Sequence, residues 1–191
     1  MGHKFDISQK EKLDNDKRRS VLPPREILEN IGLKENDTIA DIGSGTGYFA
    51  IPASEIVGKA GKVYAMDISI DMIDELEKKI ETCEISNIIT LVTEENDFKL
   101  ENDMVDFTFI CSVAHEAEDI TLFIKEAIRI TKPKGKIVII DWKKEESDYG
   151  PPVDHRMAPE EIIIAFKKNN IKDIELETIG EHFYTIKAKY N

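Results

Sequence analysis

The chain has 191 residues, 41% hydrophobic and 34% charged, with 38 acidic against 26 basic side chains and a formal net charge of −12. That length supports one sizeable core, and the acidic excess argues against a nucleic-acid partner, because the field repels a polyanion. No run of about 18 apolar residues occurs, so no membrane span is expected.

The opening Met1-Gly2-His3-Lys4-Phe5-Asp6 lacks the apolar core of a secretory leader. Residues 1–22 are expected to form an N-terminal arm or a short weak helix, with Phe5, Ile7 and Leu13 as its anchors, and 23–191 a single domain. Pro23-Pro24 starts a helix carrying Ile27, Leu28 and Ile31, and Gly32 ends it. From Asp37 onward, β-rich apolar runs alternate with helical patterns. Thr38–Ile42 is the first expected strand, followed by a glycine loop and a helix from about Tyr48 to Val57. Lys62–Met66 is the second strand. Ser69 is expected to cap a helix whose apolar face is Met72, Ile73, Leu76, Ile80 and Cys83.

Asn87–Val92 and Met104–Ile110 are the third and fourth strands. Asp119 opens a helix with Ile120, Phe123, Ile124, Ala127 and Ile128 on one stripe. Lys132-Pro133-Lys134-Gly135 is expected to break it and turn into Lys136–Ile140, an Ile/Val run suited to a strand covered on both faces. A polar loop over 143–157, a helix over Pro159–Lys168 and two strands near Ile174–Thr178 and Phe183–Ala188 follow. The alternation predicts an α/β fold: a doubly wound, mostly parallel sheet with helices on both faces and an antiparallel hairpin at one edge. Cys83 and Cys111 are expected to be two buried thiols in a reducing, cytoplasmic setting.

Gly43-Ser44-Gly45-Thr46-Gly47 lies between a strand and a helix. There, glycines permit a tight turn and close approach of backbone to ligand, and the helix N-terminus offers unpaired N–H donors. Tyr48 stands where the dinucleotide fingerprint G-x-G-x-x-G places its last glycine. Asp41, two residues before the first glycine, suits an ammonium group better than a pyrophosphate. Asp67 ends the second strand, where a carboxylate accepts both hydroxyls of a ribose.

Asp41–Ala50 (DIGSGTGYFA) resembles the first motif of the class I S-adenosylmethionine-dependent methyltransferases, and Ala65-Met66-Asp67-Ile68-Ser69 the segment after it. Val105-Asp106-Phe107 resembles the strand with that family's buried acid, and Lys132–Lys136 its K-P-G-G turn, with Lys134 replacing one glycine. The likeness runs from about Asp37 to Trp142, within the ubiquinone/menaquinone methyltransferase-like (type-11) group. It implies a Rossmann-like sheet of order 3-2-1-4-5-7-6 with the seventh strand antiparallel. It implies S-adenosyl-L-methionine as cofactor and S-adenosyl-L-homocysteine as product. By position, Asp41, Gly43, Ser44, Gly45, Thr46 and Gly47 would hold the methionine end, Asp67 the ribose, and Ile68 and Met72 the adenine. Glu94 or Glu95 would contact the adenine amino group, in a register that also admits Asp97. Ser112 and His115 would border the sulfonium and the acceptor.

Methyl transfer asks the protein mainly for alignment, and a general base only where the nucleophile must lose a proton. His115 is the candidate catalytic residue, as proton acceptor or orienting group; bracing the loop is its structural alternative. Glu116, Trp142, His155 and Arg156 are candidate contacts for a small-molecule acceptor, against surface or core roles. Histidines 3, 115, 155 and 182 have no metal-ligand spacing, so no metal is expected. His3, Lys4 and Phe5 are read as a lid over the cofactor or as a tail. An NAD-dependent oxidoreductase and a non-catalytic cofactor-binding module are the alternative readings, and neither oligomeric state nor acceptor is legible.

Overall fold

A computed structural model describes residues 15–190. The expected anchors Phe5, Ile7 and Leu13, and the lid residues His3, Lys4 and Phe5, lie outside the described residues. Seven strands form one sheet of order β3-β2-β1-β4-β5-β7-β6, flanked by helices. The strands are β1 (Thr38–Ile42), β2 (Lys62–Asp67), β3 (Ile88–Val92), β4 (Val105–Cys111), β5 (Thr131–Trp142), β6 (Asp173–Ile179) and β7 (Phe183–Lys189). The helices are α1 (Asp16–Val21), α2 (Pro24–Asn30), α3 (Ala50–Val57), α4 (Ile70–Thr82), α5 (Ile120–Ile130) and α6 (Pro159–Lys168). No helix among the described residues is long and apolar enough to cross a membrane. The chain groups into two compact units that divide after Glu94.

In the first unit β1, β2 and β3 run parallel, with Asp41 beside Ala65 and Asp67 beside Val92. β1 and β2 are almost wholly buried, as expected for parallel strands covered on both faces. Met72, Ile73 and Leu76 on α4 are buried at helical spacing. Two expectations fail on α4. Cys83 is exposed, because the helix ends there and Glu84 turns the chain away in the left-handed region (φ 52°). Ser69 occupies the N-cap position, but its side chain makes no capping bond; its N–H donates instead to Asp67 Oδ1 at 2.9 Å.

In the second unit β4 and β5 are parallel, and β7 is antiparallel to both β5 and β6. Asp119 caps α5 as expected, its Oδ1 accepting the N–H groups of Thr121 and Leu122. The buried stripe of α5 is Phe123, Ile124, Ala127 and Ile130, with Ile120 and Ile128 only half-buried. The expected turn at Lys132–Gly135 is instead a bulge inside a longer β5. Val105 pairs with Thr131, but Phe107 pairs with Lys136, so the extra residues are pushed out. Lys134 takes the left-handed conformation (φ 68°) that the resembled glycine would favour. Gly135 is the position with no room, since a Cβ there would lie 2.7 Å from Thr131 Cγ2 and 2.8 Å from the Lys132 carbonyl oxygen. Asp106 is half-buried rather than buried, and both its oxygens lie 3.0 Å from Lys132 Nζ.

Candidate functional site

The glycine loop leaves β1 and is tied down from two sides. Ser44 N–H donates to the Met66 carbonyl at 2.8 Å, and Lys79 Nζ reaches back from α4 to the Thr46 carbonyl at 2.8 Å. Gly43, Gly45 and Gly47 all have positive φ (70°, 52° and 89°), a region in which a side chain is strained. Gly47 serves packing as well, for a Cβ there would stand 2.4 Å from Leu76 Cδ1. Asp67 closes the loop: its Oδ2 accepts the N–H of Gly45 at 2.9 Å, and its Oδ1 that of Ser69. Burial pushes the Asp67 carboxyl up, and the N–H groups of Ser69, Gly45 and Ile68 hold it back.

Asp41 is buried, at 3% exposure. Burial first, then the neighbouring Asp67 charge, push its carboxyl up to about 7, while Arg18 and the Ala50 N–H pull the other way. Among the described residues three buried side-chain polar atoms lack a hydrogen-bond partner, and two of them are Asp41 Oδ2 and Ser44 Oγ. An orphaned buried acceptor costs about 1–3 kcal/mol, so a pair flanking the first glycine fits an ammonium or hydroxyl donor supplied by a ligand. Arg18 was not foreseen. It stacks 4.5 Å from the Tyr48 ring centroid, and the Tyr48 hydroxyl donates to the Leu22 carbonyl at 2.7 Å, seating α1 beside the loop. Nothing in the arm's polar composition signals that contact.

Ile68 is 43% exposed just after β2, as a residue walling a flat ligand would be, whereas Met72 is 4% exposed and belongs to the core. Glu94 is exposed. Glu95 is drawn off elsewhere, its Oε1 accepting the Glu118 N–H at 2.8 Å, and Asp97 holds the Lys99 N–H and ammonium in a local turn.

In the second unit the ends of β4 and β5 carry a histidine–carboxylate pair. Ser112 takes a left-handed conformation (φ 59°) and turns the chain into a 3-10 segment, Ala114–Glu116. There His115 Nδ1 lies 2.7 Å from Asp141 Oδ1, and the His115 N–H donates to Asp141 Oδ2 at 3.0 Å. Trp142 N–H also donates to Oδ1, at 2.8 Å. Burial alone would push the imidazole down; the hydrogen bond and charge of Asp141, with help from Glu116, outweigh it and raise it above 6.5. The sequence marks the Asp141-Trp142 segment, an acid closing an Ile/Val strand at its ligand-bearing end, but assigns Asp141 no role of its own.

Arg156 is not available as an acceptor contact. All five of its N–H groups are spent within loop 143–157, on the carbonyls of Pro151, Lys143, Glu145 and Tyr149 and on Ser147 Oγ. Trp142 is packed rather than presented: Phe183 lies 4.2 Å from it, Tyr149 meets it edge-on, and Gly150 leaves no space for a Cβ over its ring. Glu116 is half-buried beside His115, and His155 is exposed on a 3-10 turn, Val153–His155. No group of three or more metal-ligating side chains occurs among the described residues.

The strand order, the glycine loop with its two orphaned acceptors and the clasping Asp67 define a class I S-adenosylmethionine-dependent methyltransferase fold, and the residues fit that cofactor. The chain belongs to the ubiE/COQ5 methyltransferase family, whose model matches residues 23–150; S-adenosylmethionine, not a nicotinamide dinucleotide, is its cofactor. A solved S-adenosylmethionine-dependent methyltransferase from Aquifex aeolicus is 34% identical, with a TM-score of 0.93, covering 98% of this chain and 100% of that one. The demethylmenaquinone methyltransferase of Oceanobacillus iheyensis is 25% identical over 117 residues, 61% of this chain and 49% of the relative. The chain thus spans about half the length of the curated relatives it matches. In fold alone it resembles Haemonchus contortus phosphoethanolamine N-methyltransferase 2, solved with S-adenosyl-L-methionine, at a TM-score of 0.76 and 16% identity over 88% of this chain and 52% of that one.

Proposed function

We propose that the protein transfers a methyl group from S-adenosylmethionine to a small-molecule acceptor, releasing S-adenosylhomocysteine. The observation that carries this reading is the orphaned pair Asp41 Oδ2 and Ser44 Oγ, buried beside a loop of left-handed glycines. Asp41 and Ser44 receive the ammonium of the methionine end, Asp67 uses its remaining lone pairs on the ribose, and Ile68 and Glu94 lie against the base. The bound cofactor supplies an activated methyl group on a sulfonium. The chain supplies orientation through Asp41, the glycine loop and Asp67. The net charge of −12 disfavours a nucleic-acid acceptor. The relatives' name, demethylmenaquinone methyltransferase, favours a quinone-like acceptor.

Thermal melts test the reading. A ligand at a hundred times its Kd stabilises the native state by about 2.7 kcal/mol, which moves Tm by roughly 5–10 °C for a chain of this size. S-adenosylmethionine and S-adenosylhomocysteine are expected to give such shifts and NAD none. No shift with either sulfur compound at millimolar concentration refutes the proposal. Tight binding with no methylation of any quinol or phenol offered favours a non-catalytic module.

A further inference from the structure

Arg18, Tyr48 and the glycine loop all belong to the first compact unit. The Arg18 guanidinium lies over the Tyr48 ring, and the Tyr48 hydroxyl donates to the carbonyl of Leu22, which is 1% exposed and one helical turn further along α1. Tyr48 directly follows Gly47, so both contacts fasten this short helix to the loop. Arg18 is half-buried there, whereas Arg19 is exposed and stands 5.8 Å from the same ring centroid. A cation over a ring face is held by charge, which leaves the N–H donors at the rim of the guanidinium for other acceptors.

Arg18 also acts on Asp41: its charge opposes the rise that burial and Asp67 impose on that carboxyl. Lys79 reaches the loop too, but from α4 and with its ammonium on the Thr46 carbonyl.

The methionine end of the cofactor is a zwitterion at neutral pH, with an ammonium and a carboxylate on one carbon. The orphaned Asp41 Oδ2 and Ser44 Oγ answer the ammonium. The carboxylate is a separate problem, because Asp41 and Asp67 both repel it. Three loop amides are closed to it as well. Ser44 N–H donates to the Met66 carbonyl, Gly45 N–H to Asp67 and Gly47 N–H to the Ser44 carbonyl. A cation is needed beside the acids, and Arg18 is the one whose charge acts on Asp41.

Resting on the methyltransferase reading above, we infer that Arg18 grips the carboxylate of the cofactor's methionine end, which makes that carboxylate a condition of tight binding. The planar fork of a guanidinium matches the two oxygens of a carboxylate. With Asp41 on the ammonium, the two residues read the two charges of one amino acid. Ligands that carry the adenosine and the amine alone lose half of that recognition. A residue that only stapled α1 to the ring would not distinguish such ligands.

The test is calorimetric titration with two ligands, S-adenosylhomocysteine and S-adenosyl-3-thiopropylamine, the same molecule without its carboxylate. Wild type is expected to bind the complete compound tighter by roughly tenfold or more, as for a charged hydrogen bond. Arg18→Gln is expected to lose that preference, weakening S-adenosylhomocysteine while holding the amine within threefold. Arg18→Lys keeps the charge without the fork and is expected to fall between the two. Arg19→Gln is expected to move neither affinity by more than twofold. Equal binding of the two ligands to wild type overturns the proposal and leaves the methyltransferase reading standing. So does an equal loss of both ligands in Arg18→Gln, the mark of a helix staple. If S-adenosylhomocysteine itself does not bind wild type, the methyltransferase reading falls first and takes this one with it.

Discussion

Asp67 Oδ2 accepts the N–H of Gly45 at 2.9 Å across 22 residues of sequence, so the acid proposed for the ribose also fixes the shape of the loop proposed for the methionine end. Asp67→Ala is therefore expected to weaken S-adenosylhomocysteine binding by more than tenfold and to loosen the loop in the free protein. Calorimetric titration reads the first effect, and amide exchange at Gly45 and Ser69 the second. Unchanged affinity would remove Asp67 from the site.

Gly47→Ala forces a side chain into φ +89° and sets its Cβ 2.4 Å from Leu76 Cδ1. The expected cost is about 1–3 kcal/mol, part backbone strain and part displacement of Leu76. Leu76→Ala alone empties a fully buried position and costs about 2–5 kcal/mol. The double variant is expected to fall short of the sum, because truncating Leu76 relieves the clash. Denaturant midpoints of the four proteins give that coupling directly.

Asp41 sets a pH dependence whose sign is opposite to that of a paired carboxylate. Its folded carboxyl, at about 7, lies above the unfolded value of 3.8, so between those limits the native state holds the proton more tightly. Stability of the free protein is expected to fall as pH rises through that window, by on the order of 4 kcal/mol in all. Asp41→Asn is expected to flatten the slope and melt higher than wild type at pH 8 without ligand, yet bind S-adenosylmethionine more weakly. Melts at pH 5 and pH 8, with and without cofactor, separate the two effects.

Arg156→Lys removes a fork with five donors from loop 143–157 and replaces it with a single ammonium. The loop is expected to open, with trypsin cleavage after Lys143 or Lys144 rising at least tenfold and stability dropping by about 2–4 kcal/mol. Affinity for S-adenosylhomocysteine is expected to stay the same, which distinguishes a loop clamp from a ligand contact.

The strands were legible because Ile/Val runs punctuated by glycine, proline and aspartate leave few alternatives: β1 and α6 fall on their expected bounds. The bulge at Lys132–Gly135 was not legible, since a proline and a glycine read as a turn while the ladder to β4 simply skips over them. The glycine loop and the acids Asp41 and Asp67 beside it could be picked out because strand ends and left-handed glycines are marked in the sequence itself. The roles of Met72, Glu95 and Arg156 could not, because each depends on where a distant backbone N–H, carbonyl or core face lies. Nor could the partnership of His115 with Asp141, which are separated by 26 residues and meet only when β4 and β5 align.

β6 has a single neighbour in the sheet, β7, which follows it in the chain and separates it from β5. During synthesis β6 emerges before the strand that anchors it and must wait, unpaired, for the later segment to slot in. Closure of this half is thus a late event in biogenesis. A nascent polypeptide stalled before Phe183 would expose the flank of β5 and an orphan β6 together, an invitation to chaperone capture or misassembly.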